Sequence, residues 1–239
     1  MSAPVTLALE TATDRLCVAV AANGRVAERE LGGARRHASA LLPLTDEALE
    51  ELGARPQDIA LVALSDGPGS FTGLRVGAAV AKAIVRTTGA RLMTGSTLLV
   101  RAAAHAGDAE VVLAASNALR GEAYIGVWEF GAGGAIAEVL APRPIGVDSV
   151  PRLPPVDRAV GEAPADLAAL LRERLGVSLE SPAFPSARAL LDLVTRPGGA
   201  RRIDQVAAWE PDYGRPAEAQ VRWEQRHGRP LPGSPSHGG

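Results

Sequence analysis

An α/β chain of two lobes, each a mixed sheet flanked by helices, is what the amino-acid sequence predicts. Three observations carry this. Three short apolar strands open the chain in succession and are followed by helix, strand, helix, strand, helix. The strand–turn–helix segment Asp66–Lys82 has a fully buried strand before it and glycines spaced by four on its helix. After residue 109 a fresh run of strands begins, as if the first arrangement were starting again.

Val5–Glu10 is a short apolar run, and Arg15–Val20 alternates in the way of a half-buried strand. Asn23-Gly24 then predicts a tight hairpin into Arg25–Leu31, because both turn positions need positive φ. Leucines at 41, 42, 44, 49 and 52 fall at helical spacing, so Ser39–Leu52 reads as a helix. Ser39 is its expected N-cap, Gly53 its C-cap, and Pro43 sits near the first turn, where a missing N–H matters least. Asp58–Ser65 is apolar without alternation, as in a strand buried on both faces. The helix after Gly67-Pro68-Gly69 runs to about Thr88, followed by a strand at Arg91–Thr94 and a helix at Thr97–Ala106. The second half gives strands at Glu110–Ala115, Glu122–Phe130 and Ala135–Pro142 with a turn at Ala118–Gly121. Proline-rich connections and helices at Pro164–Leu175 and Ser186–Val194 follow. This order is the actin-like (ribonuclease-H-like, ASKHA) layout. The boundary falls near residues 105–109, giving lobes at 1–106 and 107–225, and a Gly/Pro/Ser/His-rich tail at 226–239 that cannot bury enough apolar surface to order itself.

Bulk properties exclude several functions. The net charge of -2 gives no basic footprint, so tight nucleic-acid binding by this chain alone is not expected. The one cysteine, Cys17, cannot form an internal disulfide, which suits a reducing cytoplasm. No basic stretch precedes a long apolar run, and no segment has the length of a membrane span, so neither a signal peptide nor a membrane anchor is expected.

The glycine-rich turn invites a phosphate-loop reading and fails two templates. Gly73 is followed by Leu74-Arg75 where a P-loop requires Lys-Ser/Thr, and three residues, not two, separate Gly69 from Gly73. A general capacity remains: free amides at a helix N-terminus attract anions, with Gly67, Gly69, Ser70, Arg75 and Lys82 as the candidate contacts. Lys82 is the only lysine in a chain whose other basic positions are arginine, which hints at a site that wants a compact ammonium. Gly73, Gly77 and Ala81 form a small-residue stripe, and Val76, Val80 and Ile84 a bulkier row expected to pack on the sheet. The stripe would then admit another helix, either Ser39–Leu52 of the same chain or one from a second subunit.

Catalytic constellations are thin. His37 and His105 are isolated, and His227 and His237 lie in the tail, so no cluster of about three metal ligands can be assembled. Ser70 has no base nominated nearby. Glu10-Thr11-Ala12-Thr13 stands where actin-like kinases carry Asp-x-Gly-Thr, and Ala12 puts a Cβ where phosphate would approach.

Four segments converge on one family: Leu7–Thr13, Arg36-His-Ala-Ser-Ala-Leu-Leu-Pro43, Gly67–Gly77 with Ala81-Lys82, and Pro211-Asp-Tyr-Gly-Arg-Pro-Ala-Glu218. Together they resemble the TsaB (YeaZ) family, partner subunits in tRNA threonylcarbamoyladenosine synthesis. The resemblance implies a non-catalytic subunit that pairs with the catalytic paralogue TsaD, is joined by the ATPase TsaE, and meets tRNA only through the complex. It implies self-pairing when isolated, and a partner or dimer surface at His37, Leu41, Leu44, Gly73, Gly77 and Ala81. It implies no catalytic residue, metal or resident cofactor, with ATP or ADP at the inter-subunit interface left open. The metal-binding histidines of TsaD-like chains fall at Ser96 and Val100 here. Asn117-Ala118-Leu119 replaces the Asp-Ala-Arg that often opens the second lobe, whereas Glu122 and Tyr124 fit the pattern. The competing reading is an actin-like enzyme acting alone, either an ATP-binding protein or a peptidase.

Overall fold

The computed structural model describes residues 4–33, 36–107, 110–119, 121–214 and 226–227. Strands β1 (Val5–Glu10), β2 (Arg15–Ala22) and β3 (Arg25–Gly32) form an antiparallel meander. Asn23 and Gly24 both adopt positive φ at the β2–β3 turn, at 54° and 73°, as the Asn-Gly pair predicts. Helix α1 (His37–Glu51) leads to β4 (Ile59–Ser65), which pairs parallel with β1. Helix α2 (Phe71–Thr88) leads to β5 (Arg91–Gly95), parallel with β4, and α3 (Thr97–His105) follows.

The same plan then recurs. Strands β6 (Glu110–Leu119), β7 (Glu122–Phe130) and β8 (Ile136–Gly146) form a second antiparallel meander. Strand β9 (Arg158–Gly161) pairs parallel with β6, helix α4 (Ala165–Leu175) crosses over, and β10 (Leu179–Glu180) pairs parallel with β9. Helix α5 (Ala187–Leu193) and β11 (Arg201–Ile203) complete the described elements. The sheet orders β11-β5-β4-β1-β2-β3 and β10-β9-β6-β7-β8 are the same arrangement apart from β11. The fold is actin-like, with two mixed sheets flanked by helices, and the second lobe lacks a counterpart of α1.

Three layers of apolar side chains hold it together. Leu41 and Leu49 of α1, with Ala78 and Ala81 of α2, cover the outer face of the first sheet. Leu167 and Leu171 of α4 cover the outer face of the second. Between the sheets, α3 and α5 pack on each other, and the helices are exchanged: α3 follows the first sheet and contacts β6, β7 and β9, while α5 follows the second and contacts β1, β2 and β4. The C-terminal segment assigned by sequence to the second lobe therefore returns to the first, through α5 and through β11, which pairs antiparallel with β5. Short strands of two to four residues such as β9–β11 carry too little pattern to be read in advance.

Local corrections have local causes. α1 begins at His37, not Ser39. Its N-cap is Arg36 without a side-chain cap, and the Ser39 hydroxyl donates back to the Arg36 carbonyl at 3.1 Å from inside the first turn. β8 extends beyond Pro142 through Pro144 because it is an edge strand, where a missing amide breaks no ladder. Residues 215–218 of the fourth family segment and 228–239 of the tail lie outside the described residues.

Candidate functional site

The glycine-rich turn is closed by the chain itself. Ser70 caps α2, its Oγ accepting from the Gly73 amide at 3.3 Å, and the Ser70 amide donates to the Ala12 carbonyl at 2.7 Å. The Gly67 amide donates to Thr97 Oγ1 at 3.1 Å, the Thr97 amide donates to the Gly67 carbonyl at 2.8 Å, and the Asp212 amide donates to the Asp66 carbonyl at 2.7 Å. Gly67 has a φ of 114°, and a Cβ there would run into the Asp212 carbonyl; one at Gly69 would strike Ala12. These glycines admit the chain's own backbone, and two of the donors and the cap hydroxyl at this helix start are already engaged within the chain.

Beneath the turn lies a buried acid. Glu10 ends β1, is fully buried, and accepts the Ala12 amide at 2.7 Å, which fixes the β1–β2 turn against α2. Burial raises its carboxyl from 4.5 to about 7, opposed by the neighbouring Ser65 hydroxyl, the Ala12 amide and the charge of Arg101. Arg101, itself buried on α3, is pulled below the usual guanidinium range by desolvation, against the charges of Glu162 and Glu10. Sequence reading missed Arg101, although a lone charge inside the apolar run Leu98–Ala104 is a readable signal.

The two faces of α2 exchange the roles that spacing assigned them. Gly73, Gly77 and Ala81 are buried, and a Cβ at Gly73 or Gly77 would meet the Thr11 carbonyl or hydroxyl. The small residues thus let the β1–β2 turn approach, and enlarging them perturbs the fold itself. Val76, Val80 and Ile84, expected on the sheet, are only half-buried and flank the core. His37 and Leu41 are likewise buried within the chain, and Leu44 is half-buried. What α1 and α2 leave to solvent is a different apolar set: Leu42 at 51% and Phe71 at 46% exposure, joined by the half-buried Leu44, Val76, Val80 and Ile84.

The basic candidates contribute to a strap formed by residues 206–213. The Arg75 guanidinium stacks 5.3 Å from the centroid of the Phe71 ring, which packs on Tyr213 at 4.8 Å between centroids. Lys82 pairs with Glu210 at 3.1 Å and lies 5.7 Å from the Trp209 ring centroid, so the single lysine ties the strap to α2. Trp209 was not singled out by sequence.

Ser96 caps α3 in position, and Val100 is fully buried one turn later. His105 Nε2 lies 3.1 Å from the Phe184 carbonyl. Among the described residues, the His, Cys, Asp and Glu side chains that converge as a possible ligand set are Cys17, Glu28 and Glu30. Cys17 Sγ donates to Glu28 Oε1 at 3.1 Å and accepts the Ala187 amide at 3.3 Å. Burial holds its thiol far above the usual range, with the Glu28 and Glu30 carboxylates adding to that, so the thiolate that a metal requires is strongly disfavoured. In the second lobe Asn117 is exposed, Glu122 half-buried and Tyr124 buried with its ring against Gly214; the Leu119 side chain lies outside the described residues.

Comparison with known proteins agrees with this geometry. The family model for TsaD, tRNA N6-adenosine threonylcarbamoyltransferase, matches residues 18–140. The tRNA threonylcarbamoyladenosine biosynthesis protein TsaB of Haemophilus influenzae is 35% identical over 122 residues, 49% of this chain and 51% of that protein. The Bacillus subtilis protein of the same name is 25% identical over 199 residues, 79% of this chain and 84% of its own. The matched region thus spans about half the length of the first curated relatives. Among solved structures, YeaZ from Pseudomonas aeruginosa superposes with a TM-score of 0.71 at 26% identity, covering 85% of this chain and 98% of that one. Sequence motifs, a duplicated actin-like topology and these matches converge: the chain belongs to the TsaB (YeaZ) family, within the wider set of proteins that the TsaD model matches.

Proposed function

We propose that this chain is a non-catalytic subunit in tRNA threonylcarbamoyladenosine synthesis, acting in the cytoplasm by docking on a TsaD-like catalytic paralogue to which a TsaE-like ATPase is recruited. The observation that carries the reading is the set of apolar side chains that α1 and α2 leave to solvent: Leu42 stands about half exposed on α1, and Val76, Val80 and Ile84 form a half-buried row on α2. An apolar helical edge of this kind favours a partner over solvent. In isolation the same margin serves a second copy of the chain. The self-closed glycine turn supports a scaffold role over an enzyme acting alone, because the Ser70 and Gly73 amides and the Ser70 hydroxyl, which could otherwise meet a phosphate, are bonded within the chain.

Sedimentation velocity of the chain mixed with its cognate TsaD-like protein tests this. The wild type should form a heterodimer, and Leu42→Asp with Val76→Asp should weaken it by at least about tenfold, the range of buried apolar interface residues. Unchanged association in the folded double variant refutes the assigned face. Threonylcarbamoyl transfer by the purified chain alone refutes the non-catalytic role.

A further inference from the structure

The second lobe carries an open groove of its own, whereas the docking surface of α1 and α2 lies on the first. Leu140 of β8, Leu153 of the proline-rich connection and Leu175 at the end of α4 line it, each half-buried against the core beneath α4. Pro154 and Pro155, whose rings fix φ, add rigid backbone to the lining. The hollow measures about 540 Å³, in the size range of ligand sites. A second of about 480 Å³ shares Arg152, Leu153, Arg174 and Leu175 with it and reaches Pro151.

Two features set this groove apart from ordinary surface. The first is a bulge: Trp128 pairs with Glu138 and Val127 with Leu140, so Val139 has no partner on β7. Consecutive residues Val139 and Leu140 therefore line the same groove, and Val139 is left 44% exposed. The second feature is charge. The charged residues lining either hollow are Arg152 and Arg174, and no carboxylate lines them. Arg174 is held in place by Nη1, which donates to the Val150 carbonyl at 3.0 Å. Arg152 is exposed and makes no hydrogen bond or ion pair among the described residues.

We propose that the groove binds an extended segment of a partner protein in which apolar side chains are flanked by carboxylates. The apolar side chains pack on Val139, Leu153 and Leu175, and the carboxylates pair with the Arg152 and Arg174 guanidiniums. Charge complementarity selects this occupant: two guanidiniums without an internal acid call for carboxylates, and the apolar lining calls for side chains beside them. Two adjoining hollows suit a segment that runs from one into the other. The proline backbone and the anchored Arg174 lower the ordering cost of binding. A nucleic-acid strand is disfavoured, because two cations on apolar walls neutralise few phosphates. Addition of a strand to the β8 edge is disfavoured too, since the bulge and the donor-less Pro142 and Pro144 interrupt the ladder. The site does not depend on the docking proposal.

Isothermal titration calorimetry on the full chain tests this, with the peptide acetyl-Glu-Asp-Leu-Leu-Asp-Glu-amide as probe. It should fill one site with a Kd below about 1 mM at low ionic strength. Arg152→Glu should weaken it by at least about tenfold and Val139→Asp by about fivefold; both positions are exposed, so both variants should fold. Replacing the two peptide leucines by alanine should cost about fivefold, and replacing its acids by lysine should abolish binding. Leu42→Asp with Val76→Asp should leave the peptide affinity unchanged, which separates this groove from the docking surface. No saturation of the wild type up to about 5 mM overturns the proposal. So does undiminished binding by folded Arg152→Glu and Val139→Asp, equal binding of the lysine peptide, or loss of binding in the Leu42/Val76 variant. Full displacement by an equal concentration of inorganic phosphate at matched ionic strength marks a simple anion site and overturns it as well.

Discussion

Glu10 offers the sharpest physical test, because its side chain is enclosed and its energetics follow from one change of environment. The carboxyl rises from 4.5 to about 7 on folding, chiefly by desolvation. The native state therefore holds a proton that the unfolded chain releases between those two values. With one more proton bound in the native state, stability falls as pH rises across that window, by about 1.4 kcal/mol per pH unit. The contribution is fully present below pH 4.5 and lost above about 7, in total about 3 kcal/mol. Glu10→Gln keeps an oxygen for the Ala12 amide and removes the ionisation. The variant should match the wild type near pH 4.5 and exceed it by about 3 kcal/mol at pH 8, roughly 6–12 °C in melting temperature for a chain of this size. Paired thermal and urea unfolding at half-unit pH intervals, followed by circular dichroism, reads the difference directly, and titration of other carboxyls cancels. A difference that does not vary with pH, or one that shrinks as pH rises, refutes the reasoning. Arg101 keeps Glu162 as a counter-charge when Glu10 is protonated, so the native fold tolerates the neutral acid.

Other expectations can be checked with the same samples. Gly77→Ala places a methyl against the Thr11 hydroxyl and Leu64, and should destabilise by about 1–3 kcal/mol in thermal unfolding, with wild-type stability in the variant contradicting the packing. Lys82→Ala removes the Glu210 pair and the Trp209 stack, should cost about 1 kcal/mol, and should speed proteolysis within residues 204–213, since little else ties the strap to the middle of α2. Cys17 should resist iodoacetamide at pH 8 in the folded chain and react on unfolding, because its thiol is buried and held protonated; rapid native alkylation would contradict this.

Most of the fold was legible because the signals were periodic or conformational. Asn23-Gly24 demands positive φ at two successive residues, and alternation from Arg15 onward specifies a strand, so the first meander follows from local chemistry. The unbroken apolar run Ile59–Leu64 reads as a strand covered on both faces, and it pairs parallel on both edges. The recurrence of strands after residue 109 anticipated the second lobe, and the matching sheet orders make the duplication explicit. What stayed hidden depended on distance across the chain. No pattern within Ala187–Leu193 says that it packs on strands more than 120 residues earlier. The Asp66–Arg201 and Lys82–Glu210 pairs join residues 135 and 128 positions apart, and nothing local nominates either partner.

The glycine stripe of α2 is the instructive case, since its periodicity was read correctly and its neighbour was not. Spacing of four places Gly73, Gly77 and Ala81 on one side of the helix, and small residues there do mean close approach. Yet the approaching group is the β1–β2 turn, whose Thr11 carbonyl and hydroxyl occupy the space a Cβ would need. A helical neighbour leaves room for methyl groups between cylinders about 8–10 Å apart, whereas a turn whose carbonyl points at the helix does not. Glycine, stricter than alanine, at 73 and 77 is therefore the distinguishing sign, and it makes the stripe internal. The row left half open is its neighbour on the helix, Val76, Val80 and Ile84, which flanks the core without entering it, and the proposed docking surface draws on that row instead of the stripe.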